Sequence, residues 1–520
     1  MNKLKRLKLL NHNKVLLNKL NIEQKDYYEY YLLKELNKKY ELNIDDVDTT
    51  KIDLSKNELK EDIFEYFIKI NFKELKELYL NSNEISKINL LEQIKLEKLE
   101  ILDLSSNNIE DIGILEKTNL KNLKALYLNG NNIVDINVLE KVDFKNLRIL
   151  HLGFNEIKDI KVLERVRFKN LSELNLNRIY LEDISPLEKV KFENLEILIL
   201  TDNYIKDIKA LIKANFKKLK SLRLNGNEIS DIKILEKVCF PELRELNLAY
   251  TRISEITMLE NVNFPKLEKL DFKNLQILNL SFNIIEDIKV LERVSFKNLS
   301  ELYLNRNHLK DISPLEKVKF ENLEILVLTD NYIKEIKALI KANFKKLKQL
   351  KFNGNEISDI EIFEKVCFHE LRELDLAYTR KSEITMLEKV NFPKLEKLNL
   401  SLNYIDNIEI LENVDFKELK ELNLSSNKIP DIKVLEKLKF EKLEKLYLSH
   451  NQISDINILE KVNFQELKEL NLSDNEISDI KVLENVNFKE LKVLDLSNNS
   501  INNNSTIIKY LKSKIKNIYS

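Results

Sequence analysis

Residues 419–427 read LKELNLSSN, residues 443–451 read LEKLYLSHN, and residues 467–475 read LKELNLSDN. Leucine stands at the first, fourth and sixth places, asparagine at the ninth, and the phrase returns every 24 residues. Counting upstream from Asn427 in that step meets Asn403, Thr379, Asn355, Asn331, Asn307 and Asn283. Before these lie Thr251, Asn227, Asn203, Ile179, Asn155, Asn131, Asn107 and Asn83, with Asn57 opening the series and Asn499 closing it. That makes 19 units, three of which replace the asparagine. Self-similarity at a fixed period decides the architecture before any single residue does. Leucines two apart share one face of a strand. An asparagine amide carries both donors and an acceptor, so it can satisfy backbone groups buried between neighbouring coils.

A run of L-x-x-L-x-L-x-x-N in constant phase resembles the leucine-rich repeat family over roughly residues 49–501. The resemblance implies an α/β fold, a curved solenoid with a parallel β-sheet on its concave face and short helices or 3₁₀ turns on its convex face. The rest of each unit agrees. After Asn427, the apolar Ile432, Leu435 and Leu438 stand three apart, which suits a short α or 3₁₀ helix burying one side. Ser185-Pro186-Leu187-Glu188 and Ser313-Pro314-Leu315-Glu316 read as helix starts with a capping serine. The following phenylalanine (Phe416, Phe440, Phe464, Phe488) is expected in the convex core. Residues 1–48 read as a helical N-terminal cap and residues 502–520 as a helical C-terminal cap, because a stacked array needs covered ends.

Composition narrows the function classes. The 520 residues include only 5 Gly and 6 Pro, too few for several domains joined by linkers. Lys+Arg (85) and Asp+Glu (86) leave a net charge of −1, which gives no general attraction for nucleic acid or an anionic membrane. No apolar run approaches membrane-spanning length, and the basic start has too short an apolar patch for a signal peptide.

A longer repeat lies over the short one. The stretch 192–220, FENLEILILTDNYIKDIKALIKANFKKLK, returns almost unchanged at 320–348. The offset is five periods plus eight, and the extra eight fall where Thr251 to Asn283 spans 32 residues. A local irregularity is therefore expected around 265–275. The two cysteines, Cys239 and Cys367, are the same position in the two copies. Five coils of strand spacing separate them by about 24 Å, beyond the reach of a disulfide. They are expected to be buried structural thiols in a reducing, cytoplasmic setting.

No catalytic, cofactor or metal-ligand pattern emerges from the five histidines or the five glycines. Aspartates ahead of the helix, such as Asp159, Asp231 and Asp431, read as turn or cap residues. Variation concentrates on the open face of the strand. The residue between the last two leucines is Tyr79, Tyr127, His151, Arg223, Tyr303 or Lys351 in some units and small or acidic in most others. The residue before the ladder position is Phe154, Arg178, Tyr250, Phe282, Arg306 or Tyr378 in six units and mostly Ser, Gly, Asn or Asp in the others. Aromatic and Arg residues are enriched at protein-binding hot spots. They form one cluster from Tyr127 to Tyr250 and another from Phe282 to Tyr378.

The resulting expectation is a monomeric, non-catalytic scaffold that holds a partner protein on its concave sheet. It would bind neither nucleic acid nor membrane and would need no cofactor. The phrase N-x-I-x-D-I-x-x-L is also similar to the repeats of phosphatase regulatory subunits and bacterial internalins. A regulatory subunit and a surface or secreted adhesin are therefore the alternative readings.

Overall fold

The computed structural model describes residues 24–257, 259, 274–294, 296–486, 489–501 and 505–520. They divide into two compact units, one ending at Leu246 and one starting at Asn247. Both are solenoids built from the same coil. Each coil has a three-residue strand, a turn, and a return through one 3₁₀ turn such as Asn137–Glu140 or Lys481–Glu484. The strand's middle residue is the buried leucine, as in Glu421–Asn423, where Leu422 is fully covered. In the first unit, parallel strands pair from Lys51–Asp53 to Ser221–Arg223. In the second they pair from Ile277–Asn279 to Asn517–Tyr519. Paired residues stand one repeat apart, as in Glu301↔Ile325, except at the longer opening step Lys51↔Glu77.

Repeat spacing explains the return segments. Apolar residues three apart match the three-residue turn of a 3₁₀ helix, so Ile432 and Leu435 both reach the core. The aspartates perform the expected capping: Asp159, Asp231 and Asp431 each accept the backbone N–H two residues on, at 2.7, 2.9 and 2.8 Å. This displaces the serine caps expected at Ser185 and Ser313. Their hydroxyls donate to Asp183 and Asp311, whose other carboxylate oxygens take the serine N–H. The phenylalanines line the convex core, with Phe416 and Phe440 stacked at 6.4 Å; Phe488 lies outside the described residues.

The ladder asparagines tie coils together. Asn427 Nδ2 donates to Leu400 O and Leu424 O, both at 3.0 Å, and its Oδ1 accepts Ile405 N–H at 3.0 Å. Buried backbone groups that water cannot reach are thereby satisfied.

Within the second unit the ladder crosses the long step directly. Asn283 Nδ2 donates to Leu248 O at 2.9 Å across 35 residues, where an ordinary coil spans 27. Its Oδ1 accepts Ile253 N–H at 3.0 Å and the Thr251 hydroxyl at 2.8 Å. The irregularity expected at 265–275 lies, apart from Asn274 and Leu275, outside the described residues.

Two ends differ from the coils between them. Helix α1, Gln24–Lys39, buries Leu32, Leu33 and Leu36. Its Lys39 pairs with Asp62 at 2.6 Å, at the start of helix α2, Ile63–Lys69. At the C-terminus, helix α3, Ser505–Lys514, is followed by strand Asn517–Tyr519, so the chain adds one more rung beyond Asn499.

The cysteines correct the sequence reading. Cys239 and Cys367 are free and exposed, not buried. Each sits between two buried residues of an extended segment, Val238 and Phe240 or Val366 and Phe368. Extended chain alternates its faces, so the thiol points outward.

Candidate functional site

Two rows of side chains stand clear of the core. The first stands at the last residue of each strand, between two inward-pointing leucines, as His151 does between Leu150 and Leu152. In the first unit Tyr127 meets His151 edge-on, with ring centroids 4.9 Å apart. His151 Nε2 lies 2.7 Å from Glu173 Oε1. Arg223 grips Glu245 through two nitrogens at 2.8 and 3.2 Å, and Ser221 donates to the same carboxylate at 2.8 Å. The hydrogen bond from His151 holds the Glu173 carboxyl below the usual carboxylate range, against a smaller opposing effect of burial. Burial pushes the Tyr127 hydroxyl up. Tyr79 sits apart, with its hydroxyl 3.2 Å from Glu77 and Lys51 over its ring at 4.7 Å.

In the second unit, Tyr303 donates to Glu301 at 2.7 Å, and Lys351 pairs with Glu373 at 2.6 Å. Burial, reinforced by Glu301, raises the Tyr303 hydroxyl well above its ordinary value. Asn279 occupies the position that His151 holds in the first copy, so the Tyr–His–Glu cluster is not repeated.

The second row precedes each ladder asparagine, where the chain leaves the strand through a left-handed residue. Gly130, Phe154, Arg178, Asp202 and Gly226 have φ of 69°, 53°, 50°, 53° and 72°. Tyr250, Phe282, Arg306, Asp330, Gly354 and Tyr378 have φ of 53°, 55°, 53°, 51°, 74° and 53°. The turn is held by the backbone: Phe154 N–H donates to Asn177 O at 2.7 Å, and Phe282 N–H to Asn305 O at 2.8 Å. Left-handed backbone costs a side-chain-bearing residue about 1–2 kcal/mol, and glycine, asparagine and aspartate are its ordinary occupants. A Cβ on Gly226 or Gly354 would meet the carboxylate of Asp202 or Asp330, which would have to shift. Bulky Phe, Arg and Tyr at this position are backbone outliers of a kind that concentrates at functional sites.

These bulky residues stack. In the first unit the Arg178 guanidinium lies 5.0 Å from the Phe154 ring centre and pairs with Asp202 at 2.9 Å. In the second unit Arg306 lies 4.7 Å from Phe282 and pairs with Asp330 at 3.0 Å. There the stack extends further, because Tyr250 lies flat on Phe282 with centroids 3.7 Å apart and planes 17° apart. Tyr250 was grouped with the first cluster by its place in the sequence; the structure puts its ring on the second. Tyr378 is 52% exposed.

Glu173, Glu245, Asp202 and Asp330 anchor both rows and escaped the sequence reading. Glutamate recurs so often at the first strand position that Glu173 and Glu245 carried no signal. Asp202 and Asp330 looked like ordinary turn residues. Among the described residues no group of three or more His, Cys, Asp or Glu is placed to hold a metal ion. None of their helices is long and apolar enough to cross a membrane.

Family comparison agrees with this geometry. The model described as "Leucine Rich repeats (2 copies)" matches residues 97–141, 145–189, 273–317 and 417–461. Related leucine-rich repeat models match 193–253, 465–480 and 490–513. The chain belongs to the leucine-rich repeat family. Comparison with curated protein sequences gives no match.

Among solved structures, this leucine-rich repeat chain is similar to one in the mouse RP105/MD-1 complex. Identity is 20% and the TM-score 0.63, over 92% of this chain and 80% of that one. A leucine-rich repeat protein of Leptospira interrogans has 22% identity and a TM-score of 0.58, over 81% of this chain and 96% of its own. A third, from the TLR13-ssRNA13 complex, has 19% identity and a TM-score of 0.53, over 87% of this chain and 70% of that one. These likenesses concern the fold. Ligand class has to be argued from the side chains.

Proposed function

We propose that this leucine-rich repeat chain is a non-catalytic scaffold that binds a partner protein. Its first binding surface is the strand-end cluster of Tyr127, His151 and Arg223 with the adjacent Phe154 and Arg178. The observation that carries this reading is the left-handed row. Phe154 and Arg178 occupy backbone that favours glycine, and Phe154 is nonetheless 48% exposed. A residue that strains the chain and does not fill the core supports selection for something outside it. The rigid coil holds these side chains in place, which reduces the ordering cost of binding.

The charge balance supports a protein partner over a polyanion. Arg178 and Arg223 are already paired with Asp202 and Glu245, so neither presents a free cation to phosphate. A cytoplasmic location belongs to the same reading, supported by two exposed thiols that an oxidising compartment would leave open to reaction.

The test is affinity capture from an extract of the source cells, using the native chain and a Tyr127→Ala/Phe154→Ala variant of matched thermal stability. Partners retained by the native chain should be lost from the variant. Equal capture by both would place the binding surface elsewhere.

A further inference from the structure

The duplicated halves carry the same left-handed row with one difference. Phe154, Arg178 and Asp202 return in the second copy as Phe282, Arg306 and Asp330, with matching backbone φ. The ring-to-guanidinium and ion-pair distances match as well: 5.0 and 2.9 Å in the first unit, 4.7 and 3.0 Å in the second. What precedes the phenylalanine differs. In the second unit it is Tyr250, whose N–H donates to Ser281 O at 3.0 Å and whose ring covers Phe282. In the first unit the same rung is Gly130, whose N–H donates to Gly153 O at 2.9 Å. Gly130 has no side chain to lay on Phe154. Phe282 is accordingly half-buried, whereas Phe154 is exposed.

We infer that the uncovered face of Phe154, above Gly130, is a slot for an aromatic side chain supplied by the partner protein. Tyr250 shows the pose: a phenol ring nearly parallel to the phenylalanine, on the face opposite its arginine. The slot is bounded by Phe154, by the Gly130 backbone and by Ser106, which lies 3.2 Å from where a Cβ on Gly130 would stand. A nucleobase is also flat, but the cation on the ring, Arg178, is committed to Asp202. A peptide aromatic therefore fits better than a nucleotide carrying phosphate. This inference rests on the protein-binding reading above and specifies what the partner presents.

The test uses the full chain as bait against a displayed library of random 12-residue peptides, with a random single-stranded RNA pool as a parallel arm. Two variants close the slot differently. Gly130→Tyr would lay the chain's own ring on Phe154, as Tyr250 does on Phe282; Phe154→Ala removes the platform. Thermal melts establish that each is folded, and Phe154→Ala stands alone should the tyrosine not be accommodated. The expected result is a selected peptide set with a recurrent Tyr, Phe or Trp. Its binding should fall at least tenfold in both variants and stay unchanged in Phe282→Ala.

Peptides without an aromatic, or peptides indifferent to both variants, overturn the slot. If such peptides still lose binding on Tyr127→Ala, the scaffold reading survives without it. Enrichment of RNA in place of peptide overturns the class of partner. Enrichment of neither overturns both proposals.

Discussion

Tyr250 and Phe282 lie ring on ring at 3.7 Å although 32 residues separate them in the chain. The ordinary coil would separate such neighbours by 24, as it does Arg306 and Asp330. The eight surplus residues have not disturbed the contact, because the rung is fixed by Asn283 reaching Leu248 and Thr251 directly. The duplication has thus laid the end of one copy on the start of the next.

Removing that ring should open a second slot. Tyr250→Gly would leave Phe282 as bare as Phe154, at a backbone position that accepts glycine readily. Titration calorimetry with a peptide that binds the first slot should then show stoichiometry rising from one towards two. The second site should be weaker, since Asn279 replaces His151 beside it. Unchanged stoichiometry would mean that the stacked pair has no bearing on binding.

Exposed and buried phenylalanines should separate cleanly in stability. Phe168 is almost fully buried and stacks with Phe144 at 6.4 Å. Phe168→Ala should cost about 3–5 kcal/mol in urea unfolding. Phe154→Gly relieves left-handed strain of about 1–2 kcal/mol. Against this stand about 0.5–1 kcal/mol from the lost arginine contact and a similar entropy from the added glycine. Stability close to native is expected, and a loss comparable to that of Phe168→Ala would show that Phe154 is structural.

Asparagine rungs should be far less tolerant. Asn355 is almost fully buried and serves three backbone groups: Leu328 O at 2.9 Å, Phe352 O at 2.8 Å and Ile333 N–H at 3.0 Å. Asn355→Ala strands all three away from water, at about 1–3 kcal/mol for each group left unsatisfied. A loss of about 3 kcal/mol or more is expected in the same unfolding assay. A smaller loss would mean that water enters the gap.

How much of this was legible in the sequence depends on what each residue obeys. Leu422 and Asn427 follow the backbone's demands, so their spacing alone announced strand, turn and rung. Phe154 and Tyr250 defy those demands, so their identity gave no hint that they sit at φ of 53°. Tyr250 was assigned to the wrong neighbours because sequence order hides a rung that skips eight residues. Cys239 was misplaced by treating a thiol as core-seeking. The alternation of Val238, Cys239 and Phe240 in extended chain already pointed it outward.

That correction predicts reactivity. With Cys239 and Cys367 exposed and unpaired, the folded chain should release two equivalents of chromophore with a disulfide-exchange reagent, without denaturant. Thiols that react only after unfolding would restore the buried placement.

The first cluster should also leave a signature in acid. Its Glu173 titrates below the usual carboxylate range, chiefly because of the hydrogen bond with His151. A carboxyl depressed in the folded state stabilises the fold above its unfolded pKa, and that contribution is lost as pH falls through the lower folded value. His151→Gln removes the imidazole that bonds the carboxylate, so Glu173 should titrate closer to the ordinary range, as followed by the NMR shift of its side-chain carbonyl. The native chain's advantage over the variant should accordingly be full above the ordinary carboxylate pKa and shrink as pH falls through the lower folded value, so the native chain loses more stability across the acid limb. Superimposable acid limbs, or an unmoved Glu173 titration, would mean that the 2.7 Å contact between His151 and Glu173 does not persist in solution. The strand-end cluster would then be a set of independent side chains.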